Sequence, residues 1–354
     1  MFLMTAGFHP AGSRYKILVV SSYHPEYLWS QETNKGLTEA FLQEGFFDNR
    51  EQIKKYSKNH EVETSKAVFK KIWMDTKRKS SKEDIASAAE QVVRIAKTFF
   101  PDIILLGDDN AANYIGNTFI DTKTPLVFWG VNGYPLKYNL MDSTEKPGHN
   151  VTGIYQAGYY RESLEFLKEI KPEIKTFAIL SDDTETGRSK AKMIEALSRQ
   201  KKLPLILTET IVTNDFEEWK ARAFEAQKTV DAFFVLNHQG LRYKSGKPVD
   251  MLTAGAWYLK NITKAECSDE KQNVEEGMLL AVDDSGYNQG FEAAKMAVKI
   301  LNNAASPQTT ASFAPQPGPR VVNSQRLKQL GLTIKPGTRV EQYIEKSLAV
   351  HDGS

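Results

Sequence analysis

Short polar side chains follow six apolar runs of this sequence, and they are the residues best suited to hold a ligand or to catalyse. The six groups are Ser22–His24, Gly107–Asn110, Trp129–Asn132, Ser181–Thr184, Asn237–Gln239 and Asp283–Ser285. Each group taken alone is typical of a helix N-cap, where Ser, Thr, Asp and Asn are preferred. In a doubly wound parallel sheet, however, the ends of such strands converge on one crevice. Together they therefore predict a binding crevice.

Aromatic side chains lie near the same strand ends, and small-molecule pockets combine aromatic walls with a few placed polar groups. Those near the ends are Tyr23, Tyr27, Trp29, Trp129, Tyr134, Tyr155 and Tyr287, whereas Trp73 and Trp219 fall within strand or helix patterns typical of core. The predicted ligand-binding residues are Tyr23, His24, Trp29, Asp108, Asp109, Asn110, Trp129, Gly130, Asn132, Tyr155, Gln156, Asp182, Asp183, Thr184, Asn237, His238, Asp283 and Asp284.

Catalytic chemistry has weaker support in the sequence. His24 or His238 could act as a base beside a strand-end aspartate, but no Gly-x-Ser-x-Gly elbow holds a nucleophile. Neither a Gly-x-x-x-x-Gly-Lys phosphate loop nor a Gly-x-Gly-x-x-Gly fingerprint is present. The paired aspartates could bind a hard cation, but one strand end supplies too few oxygens for a full cage. We therefore predict no catalytic residue, no metal and no cofactor.

The elements that must position these residues follow a strand–helix rhythm. Strands are predicted at 17–20, 67–74, 102–107, 124–129, 176–181, 205–212, 231–236, 277–282 and 320–323. One helix is predicted to begin at residue 30, and further helices are predicted at 85–100, 160–170, 187–200, 215–230, 249–262, 287–302 and 340–348. Alternation of this kind is typical of parallel sheets covered by helices. The sequence predicts an α/β fold with two successive Rossmann-like, doubly wound halves.

Length and composition agree with two globular domains. The chain has 354 residues, 41% of them hydrophobic, which is enough for substantial cores. Its 46 Lys and Arg against 44 Asp and Glu give a net charge of +2 without the concentrated basic face that nucleic acid requires. The single cysteine, Cys267, excludes an internal disulfide and any cysteine-rich metal site.

No apolar run is long enough to span a bilayer. Residues 1–14 begin with an apolar stretch that Pro10, Gly12 and Ser13 interrupt. We interpret this segment as a leader: the stub of a signal peptide, a remnant of the expressed chain, or an unstructured extension.

Several motifs in order along the chain resemble one family. They are Ser21-Ser-Tyr-His-Pro25, Pro101-Asp-Ile-Ile104, Asn150-Val-Thr-Gly-Ile154, Tyr287-Asn-Gln-Gly-Phe-Glu-Ala-Ala-Lys-Met-Ala297, Val321-Val-Asn323 and Leu330-Gly-Leu332. From about Lys16 to the end, the chain resembles substrate-binding proteins of ABC transporters, of the tryptophan- and tyrosine-type group with the type I periplasmic binding protein fold. Related domains also form extracytoplasmic sensors of membrane kinases.

The resemblance implies two hinged lobes that capture a small organic ligand, amino-acid-like or aromatic, between them without chemistry. It implies lobes at 15–150 with 264–319 and at 151–263 with 320–354. The first-lobe wall would come from Tyr23, His24 and Asp108–Asn110, and Asp283–Asp284 would lie near the hinge. The second lobe would supply Tyr155, Gln156, residues 182–185, Asn237 and His238. Relatives that bind aromatic amino acids carry a sequence closer to Asn-Pro-x-Glu-x-Asn-Ser at the position of Ser181–Gly187, which leaves the ligand open.

The same residues suggest how a ligand would be held. A ligand carboxylate would meet backbone N–H groups where a helix begins near Asn110. A ligand ammonium would pair with a strand-end aspartate, and an aromatic body would stack on Tyr23, Trp129 or Tyr155.

The expected partners are a small-molecule ligand and the membrane permease and ATPase of an ABC transporter, with no nucleic acid and with a monomeric protein. The expected location is periplasmic, or extracellular and membrane-associated. Two alternatives remain: a sensory domain that reports to a membrane signalling partner, and a cytoplasmic α/β enzyme that uses His24 and a strand-end aspartate. A repressor of the same fold is disfavoured, because too few residues precede the first strand for a helix-turn-helix.

Overall fold

The computed structural model describes residues 13–133 and 135–349. Most of the predicted leader and the aromatic residue Tyr134 therefore lie outside the described residues. The chain forms two compact units: residues up to 156 with 286–315, and residues 157–285 with those from 316 onward. Each unit is thus built from two separate stretches of chain.

Each unit contains one sheet. In the first unit the strand order is β2-β3-β1-β4-β5-β6, and all neighbours are parallel except β2 and β3. Its strands are β1 (Tyr15–Ser21), β2 (Glu61–Glu63), β3 (Ala67–Trp73), β4 (Ile103–Gly107), β5 (Leu126–Asn132) and β6 (Val151–Gln156). In the second unit the order is β13-β12-β11-β10-β9-β7-β8, with only β11 and β12 antiparallel. Its strands are β7 (Thr176–Ser181), β8 (Ile206–Val212), β9 (Ala232–Val235), β10 (Ala265–Ser268), β11 (Leu280–Val282), β12 (Arg320–Asn323) and β13 (Gln342–Ile344).

Helices pack against both faces of each sheet, as predicted for doubly wound halves. The first unit contains α1 (Leu28–Gln43), α2 (Arg50–Asn59), α3 (Lys82–Phe99), α4 (Asp108–Ala111) and α5 (Asn117–Phe119), with a π-helical turn at Ala112–Gly116. The second contains α6 (Tyr160–Ile170), α7 (Glu185–Arg199), α8 (Phe216–Ala226), α9 (Met251–Asn261) and α10 (Lys271–Glu276). The helix α11 (Gly286–Leu301) returns to the first unit, and α12 (Ser324–Gln329) lies in the second. None of the helices in the described ranges is long and apolar enough to cross a membrane.

The strand β1 shows why these sequences form central strands. Ile17 and Val19 pack into the core on one face of the sheet, and Leu18 and Val20 pack into the core on the other. A continuous aliphatic run is what a parallel strand covered on both faces requires. The unbroken run therefore places β1 in the sheet interior, between β3 and β4.

The helices α1 and α11 cross at glycines. A methyl group on Gly290 would lie 2.1 Å from the Thr33 carbonyl oxygen, and one on Gly36 would lie 2.0 Å from the Tyr287 carbonyl oxygen. Only glycine permits this close approach of the two backbones. The crossing joins the first and last stretches of the first unit.

Three predictions about the elements differ from the structure. Residues 264–285 were expected with the first lobe, but β10 and β11 pair with β9 and β12 in the second sheet. Residues 151–156 were expected in the second lobe, but β6 extends the first sheet beside β5. The helix predicted at 340–348 is absent, because Gln342–Ile344 forms β13, an edge strand paired with β12.

Candidate ligand-binding residues

The carboxylate of Asp109 is held by three side chains of the first unit. It accepts hydrogen bonds from Asn132 Nδ2 at 2.6 Å and Tyr138 Oη at 2.8 Å, and Lys137 Nζ lies 2.8 Å away. Asp109 is 1% exposed. Because buried carboxylates require such partners, this arrangement ties α4 to the end of β5 and the segment after it. Asp109 and Asn132 therefore both have a structural role at the strand ends.

Asp108 and Trp29 also form a pair within the first unit. Trp29 Nε1 donates to Asp108 Oδ1 at 2.7 Å, and both residues are buried. Asp108 has a left-handed backbone with φ of +68°. A methyl group on Gly130 would lie 2.6 Å from Asp108 Oδ1, and Gly130 itself has φ of +67°. Gly130 is therefore needed for the approach of this carboxylate to the end of β5.

An aromatic cluster formed by Tyr23, Tyr27 and Trp29 follows β1. The rings of Tyr23 and Tyr27 meet edge to face with centroids 5.2 Å apart. Lys77 Nζ lies 4.6 Å from the Tyr23 ring centroid and 5.3 Å from that of Tyr27, which are cation–π distances. The sequence predicted the aromatic residues but gave no signal for Lys77.

His24 lies beside Asp75, with Nδ1 3.5 Å from Asp75 Oδ1. Burial and the nearby Arg78 guanidinium lower the pKa of His24, although Asp75 acts in the opposite direction. Asp75 follows the end of β3, and it is not one of the strand-end aspartates that the sequence analysis singled out.

Burial and contacts within the protein involve several first-unit groups that were predicted to bind the ligand. Trp129 is fully buried in the core and lies over Gly107, where a methyl group would be 2.2 Å from the indole, so it is not available for stacking. Where the helix near Asn110 begins, Ala111 N–H donates to Ser22 Oγ at 2.8 Å, so this one N–H group already has a partner. The Asn110 side chain donates to Thr76 Oγ1.

Tyr155 and Gln156 lie on β6 of the first unit rather than in the second lobe. Gln289 of α11 connects this strand to β5. Its Nε2 donates to the Tyr155 carbonyl oxygen and its Oε1 accepts from Gly130 N–H, both at 3.0 Å. The Tyr287–Ala297 motif contained Gln289, but the sequence alone did not indicate this contact.

In the second unit, Asp182 and Thr184 organise the loop after β7. Asp182 accepts from Thr184 Oγ1 at 2.6 Å and from Gly240 N–H at 2.7 Å, and Thr184 caps α7 by accepting from Gly187 N–H. Asp183 is exposed and pairs with Arg188 at 2.9 Å. These contacts correspond to the helix-cap interpretation of the strand-end residues.

Asn237 and His238 follow β9 and are both buried. His238 Nε2 lies 2.6 Å from Glu276 Oε2, and Glu276 is 0% exposed. Burial acts to lower the pKa of His238, but the Glu276 carboxylate outweighs it and the pKa is raised. His238 and Glu276 thus form a buried pair, a contact that the sequence did not indicate.

A buried group of charges surrounds Asp284, and we call Lys190, Asp269, Glu270 and Asp284 the acidic cluster. Lys190 Nζ lies 2.8 Å from Asp269 Oδ2 and also contacts Glu270 Oε1. Asp284 accepts from Gly158 N–H at 2.7 Å. Asp283 accepts from Lys271 N–H at the adjacent position. Of this cluster the sequence predicted only Asp284.

Two carboxyl groups of the acidic cluster, those of Asp284 and Asp269, have raised pKa values. Burial raises the pKa of Asp284 to about 8, and neighbouring Asp269 adds to the increase while Gly158 N–H and Lys190 oppose it. Burial also raises the pKa of Asp269, against the attraction of Lys190. The ammonium of Lys190 keeps a raised pKa, because Asp269 and Glu270 outweigh its burial. Carboxyl groups outnumber the ammonium group within this cluster.

No group of three or more His, Cys, Asp or Glu side chains in the described ranges has the geometry to hold a metal ion. The expected absence of a metal and of a cofactor stays a prediction.

Comparison with known structures shows the fold. A Streptococcus pneumoniae ABC domain solved in complex with L-Trp is 20% identical, with a TM-score of 0.71. A conserved domain protein from Vibrio cholerae is 16% identical with a TM-score of 0.69. A ligand-free, open substrate-binding protein with adhesive properties from Clostridium difficile is 21% identical with a TM-score of 0.67. Each alignment covers 94% of this chain and 100% of the other. The predicted type I periplasmic binding protein fold is confirmed.

Similarity of the sequence to known proteins shows the family. No curated protein matches it significantly. The family model described as ABC transporter substrate binding protein matches residues 33–342. That range includes most strands of both units. This chain therefore belongs to the family of ABC transporter substrate-binding proteins.

Proposed function

We propose that this protein is an extracytoplasmic solute-binding protein that captures a small organic ligand bearing an amine and delivers it, chemically unchanged, to an ABC permease and its ATPase. The family match over residues 33–342 is the observation that carries the transport function. Members of this family act outside the cytoplasm. The monomeric state is part of the proposal.

The acidic cluster supports an amine as the ligand's charged group. Asp269 and Asp284 are both 0% exposed, and a charge interaction is stronger where water is excluded. A ligand ammonium beside Asp284 would favour its ionised form and lower its pKa from about 8. Binding would then release a proton, so affinity should fall as the pH drops below 8.

An apolar or aromatic body of the ligand is also part of the proposal. The cluster of Tyr23, Tyr27 and Trp29 and the partly buried Tyr155 lie at the strand ends of the first unit. The Streptococcus pneumoniae relative was solved with L-Trp, which carries an ammonium group and an aromatic ring. Nothing in the structure favours the sensory or enzymatic alternative.

The test is a thermal-shift screen of the full chain against amino acids, polyamines, aromatic acids, nucleosides and sugars. A ligand that binds only the native state raises the melting temperature. We expect amines to give the largest shift, or an amine to be recovered by denaturing mass spectrometry from protein already loaded in the expression host. A flat screen with no recovered ligand would overturn the proposal, and so would a ligand recovered in altered form.

Site variants localise the ligand. Asp269→Asn and Asp284→Asn should each weaken the binding of the amine by at least tenfold, because each removes a buried countercharge. Asp183→Asn is the matched control, since Asp183 is exposed and already paired with Arg188. Equal losses in all three variants would refute the assignment to the acidic cluster while leaving the transport function intact.

A further inference from the structure

We propose that the first unit contains a second binding site, a cavity of about 360 Å³ among α1, α2 and β3 that binds a small organic carboxylate through Lys71 and Ser30. None of the ligand-binding residues predicted from the sequence lines this cavity. Its volume lies within the range of about 300–1,000 Å³ typical of small-molecule sites. The inference is independent of the proposed transport ligand.

The lining of the cavity has the charge that an anion requires. Among the described residues it includes Lys35, Lys71 and His60, and no aspartate or glutamate. Ile53, Tyr56 and Trp73 supply apolar surface. The combination fits a monoanionic organic acid with an apolar or aromatic body, in contrast to the amine proposed for the acidic cluster.

Lys71 is the central group. Its side chain is buried on β3, with Nζ 4.0 Å from the Trp73 ring centroid and 2.7 Å from Asn34 Oδ1. Within residues 13–133 and 135–349, no carboxylate lies at salt-bridge distance from Lys71 Nζ. Burial lowers the pKa of Lys71 to about 7, although the more distant Asp108 partly opposes this effect. A carboxylate in the cavity would supply the countercharge that the protein does not.

Two further groups can donate to the same ligand. Ser30 lines the cavity and is 2% exposed, and its buried Oγ has no hydrogen-bond partner among the described residues. His60 Nδ1 accepts from Trp73 Nε1 at 3.3 Å, which places the proton of the neutral ring on Nε2. Burial and then Lys71 lower the pKa of His60, so the ring is neutral at pH 7. An unpaired buried hydroxyl is costly, and a ligand oxygen would relieve that cost.

The pH dependence follows from the groups that face Lys71. Asn34 and Lys35 on α1, His60 after α2, Trp73 on β3 and the more distant Asp108 surround it. The ligand carboxylate stays ionised above pH 6, whereas Lys71 loses its proton as the pH rises through about 7. Carboxylate affinity should therefore be highest near pH 6 and fall by up to tenfold per unit above pH 7.

The experiment is calorimetric titration of the full chain with benzoate and with benzamide, its neutral counterpart. We expect one benzoate per chain at pH 6.0, up to about 30-fold weaker binding at pH 8.5, and at least tenfold weaker binding of benzamide. Lys71→Met and Ser30→Ala should each weaken benzoate binding at least fivefold. Lys70→Met is the matched control, because Lys70 is the adjacent lysine and pairs with Glu61 at 3.2 Å.

A benzoate affinity that is absent, independent of pH, or equal to that of benzamide would overturn the proposal. Unchanged affinity in Lys71→Met would also overturn it, and so would a loss in Asp284→Asn, because the probe would then occupy the acidic cluster. Melting curves of each variant verify folding. If Lys71→Met does not fold, Ser30→Ala and the wild-type pH series decide the question.

Discussion

At the scale of single residues, Asp284 combines complete burial with a pKa raised to about 8 by that burial. The unfolded chain would ionise the same carboxyl near pH 4. Between these values the folded state therefore holds more protons than the unfolded state. The contribution of Asp284 to stability is complete below pH 4 and is lost as the pH rises towards 8.

We therefore predict that the free energy of unfolding of Asp284→Asn falls less steeply with rising pH than that of the wild type. The slope attributable to Asp284 is at most about 1.4 kcal/mol per pH unit, and Asn can still accept from Gly158 N–H through Oδ1. Urea denaturation of both proteins from pH 5 to pH 8 measures this slope. The variant should gain stability relative to the wild type as the pH rises, and parallel curves would contradict the raised pKa.

Trp129 supports a second residue-scale prediction. Its side chain is fully buried and packs in the core with Val19 and Ala293. Trp129→Ala should cost about 3–5 kcal/mol of unfolding free energy, because it leaves a large cavity. Ligand affinity of the folded fraction should not change. Denaturation combined with calorimetry measures both, and weakened binding with unaltered stability would instead place the indole in the binding site.

The sequence predicted residues of the candidate site well only where local rules determine their position. Asp182 and Thr184 follow a strand and cap a helix, and the structure places them in that way. Lys190 and Asp269 are in contact, yet they are far apart along the chain and neither lies in a distinctive pattern. Lys71 likewise lies in a strand that the sequence did predict, but no pattern singled out this lysine. Long-range charge pairing has no local sequence signature, so these groups were not found.

At the scale of elements, α11 was predicted from its pattern, but its packing against α1 was not. The crossing depends on Gly36 and Gly290, where the backbones approach too closely for any side chain. Gly290→Ala should destabilise the protein by about 3 kcal/mol, the upper end of what overpacking typically costs. Lys299→Ala, at an exposed position of the same helix, is the control. Equal melting temperatures for Gly290→Ala and the wild type would show that the helices can separate without cost.

Other elements carried little signal of their own. The helix α2 has one buried residue, Tyr56, and so lacks the apolar stripe by which a surface helix is usually identified. The strand β2 has three residues, with only Val62 buried. The strand β13 is equally short, which explains why the segment around it was predicted as a helix. Strong hydrophobic periodicity predicted the long elements, and short edge elements depend on partners that local sequence does not specify.

At the scale of the whole molecule, the fold class was predicted correctly. Which stretches of the chain belong to which unit was not predicted correctly. The second sheet takes β10 and β11 from a stretch that resembled a return to the first lobe. The pair of Arg326 and Glu266 helps to hold β10 in the second unit. Arg326 is 1% exposed and donates to both carboxylate oxygens of Glu266, on β10, at 2.9 and 3.0 Å. This pair ties α12 to a strand far from it along the chain.

We predict that Arg326→Met and Gly290→Ala weaken different units. Arg326→Met leaves the Glu266 charge buried without its partner, which costs about 3–5 kcal/mol. Because each unit has its own core, hydrogen exchange should accelerate mainly in β7, β9 and β10 of that variant. In Gly290→Ala it should accelerate mainly in β1, β4 and β5. Uniform acceleration across both sheets would show instead that the units unfold together.

The glycine crossing of α1 and α11 also has a consequence for biosynthesis. The ribosome makes α1 early, but α11 emerges only after all of residues 157–285 have been translated. At about 5–20 residues per second, the roughly 250 residues from the end of α1 to α11 take about 12–50 s, and α1 lacks this partner during that time. The first unit therefore cannot complete its core before residues 157–285 have been made. A nascent chain of this kind stays unfinished through most of its translation, a state suited to engagement by chaperones.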